Sequence, residues 1–332
     1  VRVWPVGWMS WPREGGKMAT ERRFAITDAA RRRLLTTAGS AASGIRRRAG
    51  EAVRAKVAGP EADAAHARIW DTPGPRWFSP SDPIWRVHSD ASMFVAGITA
   101  LLLQSLHPSA MAGVAGHSGY RGDPWGRLQR TSHYLATTTF GTIEHAEEAI
   151  AAVRGVHERV RGKDDEGRPY RADDPHLLRW VHIAEAWSFL TAHQRHGTDP
   201  LTPEEADTYV AQSAVSATAL GATDLPMTVA ALDAALDAAR PELRATPAAR
   251  DAADFLLREP PLPRAARPVY RLLALGAVDL LPGWARDELD LPAPTGAGTA
   301  GAVGTRLVRW SLAALDQESA DIDTRAHPRA DR

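Results

Sequence analysis

Apolar residues fill nearly every position from Ala91 to Leu106. A helix that is apolar on all faces is a central one, so this segment is expected at the heart of the fold, capped by Ser89 or Asp90. Pro108 has no N–H to give and predicts a break. A second short helix, Ser109 to Ala115, then ends at Gly116. Asp123-Pro124 starts the next helix, because proline suits a first-turn position. It carries Arg127, Arg130, Thr131 and Tyr134 and ends near Phe140-Gly141. From Ile143 to Val160 apolar residues recur at three- and four-residue steps: Ala146, Ala149, Ile150, Val153, Val156 and Val160, with His157 on the same face. Thr142 caps this helix and Gly162 stops it. The helix Pro175 to Arg195 brings Leu178, Val181, His182, Glu185 and Phe189 to one face. Thr202-Pro-Glu-Glu has the spacing of a capping box. Further helices are expected at 203–220, 226–239, 247–257, 264–278 and 302–316. Asp71 to Asp82 and Gly283 to Ala302 are rich in proline or glycine and read as loops. No segment alternates with period two, and no fixed-length repeat stands out, so the fold class is all-α.

The chain has 332 residues and is 44% apolar, enough for a substantial core. Residues 1–20 read as a disordered start or an extension, 21–80 as a basic helical segment, 81–320 as a catalytic domain and 321–332 as a disordered tail. Arginine clusters at 31–33 and 46–48 read as a solvated basic face; a duplex-binding regulator is the competing reading. Net charge is zero, so no global field favours nucleic acid or an anionic membrane. Val1 is read as a non-ATG start and Met18 as an alternative one. The first residues lack the charged and apolar regions of a signal peptide. The apolar run from Ala91 is interrupted by Gln104, Ser105, His107 and Pro108, short of the ~20 residues that span a bilayer. A cytoplasmic protein with no stable membrane span is expected.

The absence of cysteine excludes disulfides, thiolate nucleophiles, iron–sulfur clusters and Cys-ligated heme or zinc. GxGxxG after a strand, the Walker-type loop and HExxH are also missing. Glu144, Glu147 and Glu148 near a helix N-terminus read as a solvated face favoured by the helix dipole. Gly116-His117-Ser118-Gly119 fails the spacing of a nucleophile elbow. The segment Leu106 to Thr131 sets His107 and His117 beside an apolar wall, followed by Arg127 and Arg130. Such a set suits a cofactor or substrate pocket, and equally a buried helix hairpin whose polar groups are all paired. Trp85, Trp125, Trp180 and Trp187 are expected near it. His157 and His182 each sit on an apolar helix face, as a core histidine or an axial heme ligand does. Arg127, Arg130 and Thr131 share one face at i, i+3 and i+4.

His107-Pro108, Gly113 to Ser118, Asp123 to Thr131, Phe140-Gly141, Val156-His157 and Tyr170 to His182 together form a pattern. In order and spacing it resembles the rubber-oxygenase (latex-clearing protein) and MpaB-type family, over roughly Asp82 to Gly221. The resemblance implies a globin-like helical core around heme b, with iron held by His157 and with His182 as rival ligand or supporting partner. It places the family's distal arginine and threonine on Arg127 and Thr131. Its distal lysine falls on Arg130, which cannot act as an acid or base, so rubber cleavage is not expected. Arg127 and Arg130 would bind propionate or polarise bound oxygen, Thr131 would donate a hydrogen bond, and His107 and His117 would stand at the pocket wall. The implied partners are a small lipophilic, prenyl-like or otherwise unsaturated substrate, dioxygen and an electron donor. The competing readings are a heme peroxidase, peroxygenase or sensor, and a colourless helical lipophile-binding protein.

Overall fold

The computed structural model describes residues 44, 46–57, 59, 61–117, 121–292 and 295–326, with side chains up to residue 314. Residues 1–20 and the arginine cluster at 31–33 lie outside these. The second cluster falls on α1 (46–57), where Arg46 donates to the Trp310 carbonyl at 2.6 Å and lies over that indole.

The described chain is helical apart from one hairpin. After α2 (Ala62–His66), which continues into a π-helical turn (Ala67–Asp71), come α3 (Pro83–Ser89), α4 (Met93–Gln104), α5 (Pro108–His117), α6 (Pro124–Phe140) and α7 (Ile143–His157). The strands β1 (Arg161–Lys163) and β2 (Pro169–Arg171) pair antiparallel, with Gly162 opposite Tyr170. Then follow α8 (Pro175–His196), α9 (Pro203–Leu220), α10 (Val229–Ala239) with a 3-10 turn (Arg240–Glu242), α11 (Pro247–Arg258), α12 (Arg267–Leu280), α13 (Gly283–Glu288) and α14 (Ala297–Ala326).

Three expectations need correction. The hairpin was not anticipated, because three-residue strands are too short for a period of two to register. Asp164 builds its turn: one carboxylate oxygen accepts from the Glu166 and Arg168 N–H groups, and the other from the Arg168 and Ser109 side chains. Ser109 thereby joins α5 to the hairpin. Burial raises the Asp164 carboxyl, but these donors outweigh it and hold it at about 2. Secondly, Gly283 to Ala302 is not a continuous loop, since α13 and the start of α14 occupy most of it. Thirdly, neither Ser89 nor Asp90 is the N-cap residue of α4. That residue is Ser92, without a side-chain cap, and Asp90 instead accepts from the Ser92 N–H at 2.7 Å.

The other starts follow the sequence closely. Asp123, Thr142, Asp174 and Thr202 each accept from a first-turn N–H, and Thr202 with Glu205 completes the capping box. α9 stops at Gly221, whose φ of +118° is open to glycine and strained for other residues.

At the centre α4 crosses α8. Val95, Leu102, Leu103 and Leu106 are fully buried with Ile183, Ala184 and Ala192. No single helix among the described residues is long and apolar enough to cross a membrane, and α4 and α5 are bent by 108° at Pro108. α12 and α14 close one side through glycine. A Cβ on Gly276 would lie 2.5 Å from the Gly301 Cα, which permits a closer backbone approach than any side chain allows. Gly276→Ala is therefore expected to destabilise the protein by about 2 kcal/mol or more, as overpacking does, measured by urea unfolding. Arg309 on α14 ties this layer to the α3–α4 turn, donating to both oxygens of Asp90 at 2.9 and 3.0 Å and to the His196 carbonyl.

Candidate functional site

The faces of α3, α6, α8 and α9 that meet inside the molecule are not wholly apolar. Glu185 points inward from α8 without an ion pair among the described residues, and burial pushes its carboxyl up to about 7. Two phenols share its field. Tyr134 of α6 is raised well above its usual range by burial and then by Glu185, and interacts with the Ser216 hydroxyl of α9. Tyr209 of α9 is fully buried and shifted the same way. His88 of α3 stands edge-on to Tyr209 and Phe189 and hydrogen-bonds Thr139 Oγ1 at 2.8 Å through Nδ1. Burial, helped by His193, drives it down to about 3, so it is neutral at working pH.

Buried polar atoms ordinarily find partners, because an unmade hydrogen bond in a low dielectric costs about 1–3 kcal/mol. Here His88 Nε2, Tyr209 OH, His182 Nε2, Ser188 Oγ and His157 Nδ1 are all buried without one.

His157 ends α7, half-buried. Burial lowers its pKa and the neighbouring Asp173 only partly offsets this. His182, one turn before Glu185, is buried, and desolvation takes it down to about 4. Both imidazoles are neutral near pH 7, the form that ligates a metal. On α6, which packs against α7, Arg127, Thr131 and Tyr134 follow at i, i+4 and i+7 and share one side. Arg127 is half-buried, whereas Thr131 and Arg130 are exposed, and Arg130 pairs with Asp123 at 3.3 Å. Leu128 (38% exposed) and Val156 (49%) give the α6 and α7 surfaces an apolar character beside Arg127 and His157.

Packing of α6 on α7 sets the helix that carries Arg127 and Thr131 beside the helix that ends in His157, while His182 stands on α8. His117 is exposed at the end of α5. His107 packs against Trp180, with His176 and Glu242 beside it, in a separate cavity. Of the four tryptophans expected near the segment Leu106 to Thr131, Trp180 lies against His107. Trp85 stacks edge-on with Phe140, Lys56 lies over Trp125, Trp180 donates to the Gln104 carbonyl and Trp187 to Asp233. Glu144, Glu147 and Glu148 are exposed, and Glu148 pairs with Arg68. Tyr209 and His88 were missed. Glu185 carried a signal, a lone carboxylate on an apolar face.

Comparison with curated proteins and with solved structures gives no match. A family profile does match residues 85–312, more than half of the chain; its description is "ER-bound oxygenase mpaB/B'/Rubber oxygenase, catalytic domain". That span runs from α3 into α14 and takes in every polar group of the α3–α6–α8–α9 cluster. With its helical architecture and this match, the chain belongs to the mpaB/rubber oxygenase catalytic-domain family, a family of oxygenases.

Proposed function

We propose that this oxygenase uses heme b, held by His157, to oxygenate a small lipophilic, unsaturated substrate with dioxygen. One observation supports it most. Two neutral imidazoles, His157 and His182, each keep a buried ring nitrogen without a partner inside an all-helical, cysteine-free fold. With cysteine absent, histidine is the natural axial ligand. The heme, when bound, supplies the redox chemistry of oxygen activation.

The chain's own residues divide the remaining work by depth. Arg130 is exposed, and Arg127 half-buried on the same helix, so both are placed where they could pair with the carboxylates of a macrocycle. Thr131 offers a hydroxyl from the same face. Deeper in, Tyr134 and Tyr209 keep their protons and can donate, and Glu185 can hold or release one near neutral pH. Leu128 and Val156 add exposed apolar surface to the same two helices, which favours a lipophile over a charged substrate.

The first test is expression with heme precursor, or reconstitution with hemin. A Soret band and a pyridine hemochromogen of heme b are expected, at one heme per chain. A protein that stays colourless after both treatments overturns the reading and leaves a lipophile-binding protein.

A further inference from the structure

We propose that His107, His176 and Glu242 form a zinc site that clamps the bend between α4 and α5 to the first turn of α8 and to the exit of α10. The three residues come from separate parts of the chain. His107 lies at the α4–α5 bend, His176 in the first turn of α8 and Glu242 in the 3-10 turn after α10. Their ligand atoms lie within 4.8 Å of one another. His176 Nε2 is 2.7 Å from Glu242 Oε2, and His107 Nε2 is 3.6 Å from the same oxygen. Zinc bound tetrahedrally at ~2.0–2.1 Å needs ligand atoms about 3.3 Å apart, a spacing that small side-chain rotations reach from here.

A second observation points to a ligand. The His107 side chain is only 9% exposed, its Nε2 makes no hydrogen bond, and that atom faces Glu242. A bound cation would satisfy it. The ring's single proton would then move to Nδ1, giving up a long 3.5 Å contact from the Ala110 N–H. The nearby Arg179 does not compete for Glu242 through its Nε, which donates to the Asp224 carbonyl at 2.9 Å.

The cavity decides the role. It measures about 60 Å³ and is walled by Trp180 and Ile183. That is room for a water or two, which completes a four-coordinate ion. An organic substrate needs several times as much enclosed space, which favours a clamp over a second substrate site. Its effect would be to fix the start of α8, six residues before His182. The inference does not depend on the heme reading.

The test is isothermal titration of zinc into the full chain after dialysis against chelator, with thermal melts alongside. One equivalent should bind with a rise in Tm. His176→Ala and Glu242→Gln, both at well-exposed positions that folding tolerates, should each weaken binding by at least about a hundredfold and abolish the Tm rise. Absence of stoichiometric binding to the unaltered chain overturns the site. So does binding that both variants retain, because the ion would then sit on other histidines.

Discussion

Replacing His157 with alanine is expected to abolish the Soret band of heme-loaded protein and to lower heme affinity by at least about a hundredfold, while His182→Ala keeps the band. Both imidazoles have the right protonation state, so accessibility separates them. His182 is walled into α8 at 8% exposure, and a macrocycle could reach its Nε2 only by displacing packed neighbours. His157 is half-buried in the last turn of α7, beside the exposed Val156 and across from α6 with Arg127 and Leu128. His157 would hold the heme there, with Arg127 and Arg130 of α6 as cations that could pair with its carboxylates. The two variants should be compared by absorption spectrum and hemin titration, with far-UV circular dichroism to establish that each is folded. Loss of the band only in His182→Ala would move the ligand to α8 and overturn the assignment.

The helical fold was legible because its signals are local. Side-chain caps at Asp123, Thr142, Asp174 and Thr202, prolines in first turns and a four-residue period in α7 all act within one helix. The hairpin was not, because Asp164 organises it through four hydrogen bonds and not through any hydrophobic period. For the site, residues on one helix could be grouped in advance, as Arg127, Arg130 and Thr131 were. Groups that meet from different helices could not. His88 and Tyr209 lie 121 positions apart and come together only when α3 packs on α9. His107 shows the same limit from the other side. Its apolar flanks were read correctly, but its partners, His176 and Glu242, come from α8 and the turn after α10.

Glu185→Gln is expected to stabilise the chain purified without heme and to impair the enzyme, an opposition characteristic of functional groups held in unfavourable surroundings. The carboxyl is near 7 in the folded protein against an ordinary value of 4.5, with burial as the cause. A raised folded pKa means that the native state binds the proton more tightly than the unfolded chain does. Its contribution to stability is therefore complete below pH 4.5, declines as pH rises, and is lost above pH 7. The decline amounts to about 3 kcal/mol by linkage. Glutamine keeps the shape of the protonated acid and cannot ionise. At pH 8 the variant should melt about 5 °C higher than the unaltered protein, and at pH 4.5 the two should coincide. In the heme-loaded enzyme the same substitution removes a group beside Tyr134 and Tyr209 that can exchange a proton around neutrality. Turnover should then fall by about a hundredfold, and the limb of the pH–rate profile centred near 7 should disappear. Equal melting temperatures at pH 8 would mean that the carboxyl is solvated and ionised, which removes the basis for giving Glu185 any part in proton transfer. A higher melting temperature with unchanged turnover would confine it to the fold.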